Sequence, residues 1–181
     1  MRIAVTGTHG VGKTTLVEDL VAARRDALLV PEPYWLMAEE GVPFADGPTS
    51  ADLELQLERS CALILSEAEE SLIVFDRSPI DFLAYLEVIS EDEGFEWFPT
   101  GKLLSKIEKA LARLDLLVFV PLMQPDDIAV SIEYPALRKR VDARLKAIIR
   151  KDELGLFAEG PRVLEIFGPR HLRLVGLLAQ V

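Results

Sequence analysis

The stretch that most constrains this chain is Gly7-Thr8-His9-Gly10-Val11-Gly12-Lys13-Thr14, which matches G-x-x-x-x-G-K-[ST]. A strand-like apolar run, Arg2–Thr6, precedes it and a helical pattern, Lys13–Arg24, follows it. A loop that turns several main-chain N–H groups toward one centre needs torsions that a Cβ penalises, hence the glycines. The helix that starts near Lys13 adds the positive end of its dipole to the same anion site. Lys13 can then reach β- and γ-phosphates, and the Thr14 hydroxyl can ligate Mg²⁺. A chance match in a Gly-containing turn is the competing explanation, and the strand and helix on either side argue against it. The motif implies a nucleoside triphosphate site and no more. Its expected nucleotide ligands are Gly7, His9, Gly10, Val11, Gly12, Lys13, Thr14 and Thr15. His9 has two readings, a catalytic or pH-sensing ring or a loop spacer turned toward solvent.

The rest of the sequence repeats the strand-then-helix order. Ala27–Val30, Leu72–Phe75, Leu116–Val120 and Arg162–Ile166 are further short apolar runs of the kind buried on both faces of a parallel sheet. Helical patterns cover Asp52–Glu70, with Thr49-x-x-Asp52 as a capping box, then Pro79–Ile89, Lys102–Leu114, Ala136–Lys151 and Pro169–Gln180. Glu40–Ser50 and Ser90–Gly101 read as loops, and the run Glu91-Asp92-Glu93 as a solvated face. The expected fold is therefore α/β, three layers around a five-stranded parallel sheet, with ligand sites at the carboxyl ends of the strands. Residues 1–181 are expected to form one domain.

Composition removes several classes. Lys+Arg number 20 against Asp+Glu 30, a formal charge of −10, which disfavours general nucleic-acid binding and anionic membranes. The single cysteine, Cys61, allows no intrachain disulfide, and no Cys/His cluster has zinc spacing. No apolar run reaches a membrane span, and the N-terminus enters a strand without a signal-peptide layout. A cytoplasmic protein is expected.

Two acids follow two other strands. Glu32 comes after Leu28-Leu29-Val30-Pro31, and Asp76 after Leu72-Ile73-Val74-Phe75. If the third strand lies between the second and the first, at ~4.8 Å spacing, Asp76 is one strand from the phosphate loop and Glu32 two. Asp76 then sits near Mg²⁺, and Glu32 lies beyond the γ-phosphate, where a general base for an attacking hydroxyl belongs. The alternatives are a loop acid beside two prolines for Glu32 and a helix cap for Asp76.

Gly7–Thr14, together with Pro31-Glu32-Pro33-Tyr34-Trp35 and Asp76-Arg77-Ser78-Pro79, resembles the deoxynucleoside kinases. The longer Asp76-Arg77-Ser78-Pro79-Ile80-Asp81-Phe82-Leu83-Ala84-Tyr85 resembles the compact P-loop kinases related to nicotinamide riboside kinases, small proteins often labelled as AAA-type ATPases. The matched motifs span residues 1–85. The resemblance implies ATP and Mg²⁺, a base at Glu32, metal-associated Asp76 and Thr14, and Arg77 on the acceptor hydroxyl or transferred phosphate. Arg77 also reads as a structural ion-pair partner. Gln56 resembles a base-reading glutamine, and an exposed helix glutamine is the other reading. Tyr34, Trp35, Phe44 and Tyr85 are candidates for an aromatic slot or for core packing, and Asp81 joins Glu32, Trp35, Gln56 and Arg77 among the expected substrate contacts.

P-loop kinases carry a lid after the fourth strand, here about residues 123–151, which holds Arg138-Lys139-Arg140 and Arg144. Such donors stabilise charge on a transferred phosphoryl group. Leu137, Val141, Leu145 and Ile148 form an apolar stripe, and Arg140 and Arg144 share another face, with Arg138 ~200° from Arg140 at 100° per residue. Arg140 and Arg144 are the expected catalytic arginines, against a merely solvated basic face. The resemblance places adenine beside Gly168-Pro169-Arg170, with Arg173 on its face. The sequence has no asparagine and so no N-K-x-D guanine-reading motif, which favours ATP.

The expected activity is transfer of the γ-phosphate of ATP to a hydroxyl of a nucleoside-like small molecule. The alternative is an ATPase or nucleotide switch without an acceptor. No L-S-G-G-Q segment supports an ABC-type ATPase, and an AAA+ motor lacks room for its lid domain. A binding protein that has lost turnover is a third reading, opposed by the intact Lys13, Thr14 and Asp76. The expected partner is the small acceptor, with a homodimer as an allowed assembly and neither nucleic acid nor membrane.

Overall fold

Alternation along the strands sets the layers. In β1 (Arg2–Thr6), Ala4 faces one side while Ile3 and Val5 face the other. A computed structural model describes residues 1–66, 70–123 and 133–181, and in it that alternation is repeated across five strands. The others are β2 (Ala27–Val30), β3 (Leu72–Asp76), β4 (Leu116–Phe119) and β5 (Arg162–Glu165). All pairings are parallel and the order is β2-β3-β1-β4-β5, so the third strand does lie between the second and the first.

The helices are α1 (Lys13–Ala23), α2 (Pro33–Glu39), α3 (Ser50–Leu65), α4 (Pro79–Asp92), α5 (Gly101–Ala112), α6 (Pro135–Lys151) and α7 (Arg170–Leu178). Ile3, Val5, Val74 and Val118 pack against Leu16, Val17 and Leu20 of α1 and Leu177 of α7. Ala4, Ile73, Phe75, Leu117 and Phe119 pack against α3, α4, α5 and α6 on the opposite face. Each buried aliphatic side chain contributes about 1.5–3 kcal/mol by leaving water, so the two apolar layers hold the sheet rigid beneath its carboxyl edge. Among the described residues no helix is long and apolar enough to cross a membrane.

Element edges shift by a few residues from expectation. α3 begins at Ser50, where the Thr49 hydroxyl accepts from Asp52 N, and closes at Ser66, whose backbone turns extended. Residues 67–69 of the expected helix lie outside the described residues, as do 124–132 of the expected lid. The helix α2 is not anticipated by the sequence pattern. Pro33 opens it, Pro33 and Met37 form its buried face, and Trp35 points away at 60% exposure.

Candidate active site

The phosphate loop leaves β1 at Gly7, whose φ is +153° and whose missing side chain matters, since a Cβ would stand 2.5 Å from the Val120 carbonyl. Gly12 caps α1 at φ +87°, a left-handed torsion that again favours glycine. Lys13 is buried and its Nζ donates to Thr8 O at 2.9 Å. Burial, aided by the nearby Arg77 cation, pushes the Lys13 ammonium down to about 8.

One strand away, Asp76 ends β3 level with Val5 of β1. The Thr14 hydroxyl donates to Asp76 Oδ2 at 2.6 Å, while Asp76 Oδ1 is buried with no hydrogen-bond partner. Burial raises the Asp76 carboxyl above its ordinary value, against the pull of the Thr14 bond. An orphaned carboxylate oxygen beside a threonine hydroxyl suits a hard divalent cation. Among the described residues no cluster of three His, Cys, Asp or Glu could hold a metal alone. Mg²⁺ does not need one, since it takes one or two carboxylates and completes its shell with phosphate oxygens and water.

The next strand along brings Glu32, two residues past the end of β2 and at the N-terminus of α2. Its Oε1 accepts from Arg77 Nε at 2.5 Å, and both side chains are mostly buried. Arg77 holds a left-handed φ of +83°, a strained torsion for a non-glycine residue that is enriched at functional turns. Its guanidinium lies 5.5 Å from the centre of the Tyr85 ring. Glu32, Arg77, Gln56, Tyr34, Phe44 and Tyr85 line a cavity of about 430 Å³. The same cavity reaches His9 of the phosphate loop, so it joins the phosphate end to the Glu32 carboxylate.

Several expectations change here. His9 is not a solvent-facing spacer, because Nδ1 lies 2.7 Å from the Tyr85 hydroxyl and Nε2 lies 2.8 Å from Glu133 O. Burial, opposed by the bond to Glu133, holds His9 below its ordinary value. Trp35 does not line this cavity, since α2 turns it outward, 60% exposed, with an edge contact to Tyr34 at 5.2 Å. Asp81 is not a substrate contact. It is fully buried, accepts from Gly7 N at 3.0 Å, Ser78 N at 2.9 Å and the Thr6 hydroxyl, and ties the loop to the start of α4. The Ser78-x-x-Asp81 spacing is itself a capping-box signature and could have revealed that role.

Arg140 and Arg144 are corrected as well. Arg140 pairs with Glu91 at 2.9 Å and Asp92 at 2.6 Å, and Arg144 with Glu87 and Glu153, all away from the phosphate loop. The acids of α4 claim that face of α6. Arg138, on the other side of the helix, donates Nε to His9 O at 2.9 Å and Nη2 to Gly10 O at 3.0 Å. Arg173 lines a second cavity of about 630 Å³ with Gly10, Val11, Gly12, Thr15 and Leu16 on one side and Gly168 and Pro169 on the other. Gln56 is buried and its Nε2 donates to Asp52 O at 3.3 Å, so it is not an exposed helix glutamine.

The family described as AAA domain matches residues 2–155. This chain belongs to the AAA domain family. No curated protein matches it. Among solved structures, NadR protein in complex with NAD and AMP-PNP is similar over 99% of this chain and 48% of that one, with TM-score 0.65 and 19% identity. The chain thus spans about half the length of that protein. Thymidylate kinase from Candida albicans is similar over 99% of this chain and 89% of that one, with TM-score 0.61 and 14% identity. Shikimate kinase from Aquifex aeolicus covers 99% and 95% respectively, with TM-score 0.56 and 13% identity. At these identities the likeness establishes the fold, a five-stranded parallel sheet flanked by helices as in small P-loop kinases.

Proposed function

We propose that this AAA domain protein is an ATP-dependent phosphotransferase that moves the γ-phosphate to a hydroxyl of a nucleoside-like small molecule. The observation that carries the reading is the cavity shared by the phosphate loop and the Glu32 carboxylate. ATP would lie with its phosphates in the loop and its base in the second cavity, beside Arg173. Mg²⁺ would be held by the Thr14 hydroxyl and Asp76 and would supply positive charge against the phosphates. Glu32, oriented by Arg77, accepts the proton of the acceptor hydroxyl. The hydroxyl oxygen bonds to the γ-phosphorus as the bond to the β-γ bridging oxygen breaks and ADP leaves. Lys13 stabilises the negative charge spread over the transferred group.

The lining charge favours an unphosphorylated acceptor. Among the described residues, the cavity lining includes four acidic residues, Glu32, Asp46, Asp52 and Glu133, and one arginine, Arg77, which is paired with Glu32. Burial holds His9 below its ordinary value, which disfavours a positive charge on its ring. A monophosphate or carboxylate acceptor would bring like charge into this lining, which is destabilising. Tyr34 and Phe44, whose ring centres lie 4.8 Å apart with the planes tilted by 34°, offer an aromatic wall, and the Gln56 amide offers donors and an acceptor for the edge of a flat ring.

ADP release from ATP, measured with and without a panel of nucleosides, tests this reading. Stimulation by one nucleoside is the expected result. Equal release without any acceptor would instead make the protein an ATPase or nucleotide switch.

A further inference from the structure

A phosphate loop offers its amides to the ligand, which leaves its carbonyls facing the protein, where each needs a donor. Four consecutive carbonyls of this loop receive one from a cationic side chain. Lys13 serves Thr8 O, Arg138 serves His9 O and Gly10 O, and Arg173 Nη1 serves Val11 O at 2.5 Å. Arg173 Nε also donates to Gly168 O at 2.6 Å, which ties the loop to the start of α7. Arg138 is 5% exposed and Arg173 9%, so both guanidinium groups are fixed by packing before any ligand arrives. They approach from different helices, α6 and α7.

We propose that Arg138 and Arg173 are positioning residues, a two-sided clamp on the outer carbonyl rim of residues 9–11. The proposal rests on the reading of this loop as a nucleotide site and goes beyond it, since neither guanidinium needs to touch phosphate. A loop with Gly10 and Gly12 loses much conformational freedom on ordering. Charge-assisted bonds to its carbonyls meet that cost in the free protein, so that the inward amides are already aligned for phosphate. The same bonds polarise the peptides they touch, strengthening the N–H groups on the opposite side. Arg138 and Arg173 thus act through the loop, whereas Arg140 and Arg144 pair with acids elsewhere.

Binding of ADP and of a non-hydrolysable ATP analogue to Arg138→Gln, Arg138→Lys and Arg173→Lys, read by calorimetry beside turnover at saturating ATP, tests the clamp. A clamp serves both nucleotides alike, so Arg138→Gln weakens ADP and the analogue by the same factor, about tenfold, with turnover at saturation nearly unchanged. Arg138→Lys keeps the charge but replaces a two-carbonyl fork with one ammonium, and its loss is intermediate. Arg173→Lys, which also lies beside the expected nucleobase, is read with inorganic tripolyphosphate, a ligand without a base, so that weakened binding reports the loop alone; it serves as the test should Arg138→Gln fail to fold. Lost turnover with unchanged ADP affinity would overturn the clamp in favour of a direct contact with the transferred phosphate. Full rescue by lysine would overturn it in favour of plain charge. A parent protein that binds neither nucleotide would sink the nucleotide reading itself, whereas a parent that binds and variants that match it would sink the clamp alone.

Discussion

The two ends of the cleft are built from different materials. At the nucleotide end, contiguous residues 7–14 form a main-chain cradle, and its supports, Lys13, Arg138 and Arg173, hold carbonyls of that same stretch. At the other end, the lining side chains are gathered from several elements. Glu32 comes from the start of α2, Gln56 from α3, Arg77 from the turn after β3, and Tyr85 from α4. A triphosphate has one shape in every nucleotide, so backbone dipoles suffice to hold it. An acceptor has its own shape and must be met by side chains gathered from the carboxyl edge of the sheet. The two ends touch at His9, which belongs to the loop yet bonds Tyr85 on the acceptor side.

This contrast can be broken by substitutions that act on one end alone. Glu32→Gln is expected to have the largest effect, a loss of transfer of about 10²–10⁴-fold with ADP affinity retained, as for removal of a general base. Side-by-side ADP titration and turnover check it, and a variant that keeps most of its turnover would remove Glu32 from the chemistry. Lys13→Ala comes next. Loss of a charge-stabilising donor is expected to cut turnover by roughly 10²–10³-fold, and here ADP affinity falls as well.

The pH dependence separates the ends more finely. Burial holds the free Lys13 ammonium at about 8, so it is charged at pH 7 and mostly neutral at pH 9. Above pH 8 nucleotide binding must take up a proton, and ADP affinity is expected to fall about tenfold from pH 7 to pH 9. A titration series across that range reads it, and Lys13→Ala should flatten the slope. The smallest effect belongs to Arg140→Gln and Arg144→Gln. Arg140 serves exposed pairs with α4, which contribute little, and Arg144 a half-buried pair with Glu87 of α4; neither pair includes a loop residue, so turnover and ADP affinity of the folded variants stay within about twofold. A large loss in either would return the phosphate role to that face of α6.

How far the sequence speaks follows the same division. The five strands and the loop between β1 and α1 were readable because their signals are local, a short apolar run or a fixed glycine spacing. The strand order is a supposition from which the places of Asp76 and Glu32, one and two strands from the loop, follow, and the observed β2-β3-β1 agrees with it. The acceptor side was read less well, for physical reasons. Helical geometry separated Arg138 from Arg140 but could not tell which face the acids of α4 would claim. The helix α2 has only seven residues, too short for a period to emerge, and so the outward turn of Trp35 went unseen. Asp81 was grouped with substrate contacts through its neighbours in the motif, while its own spacing from Ser78 pointed to a cap.

The central claim is that the phosphate leaving ATP goes to a hydroxyl across the cleft. Following a γ-labelled phosphate in the presence of the most stimulatory nucleoside tests it most directly. The account predicts label in a phosphorylated nucleoside, formed in step with ADP and lost in Glu32→Gln. Label recovered solely as inorganic phosphate, at the same rate with or without nucleoside, would contradict it.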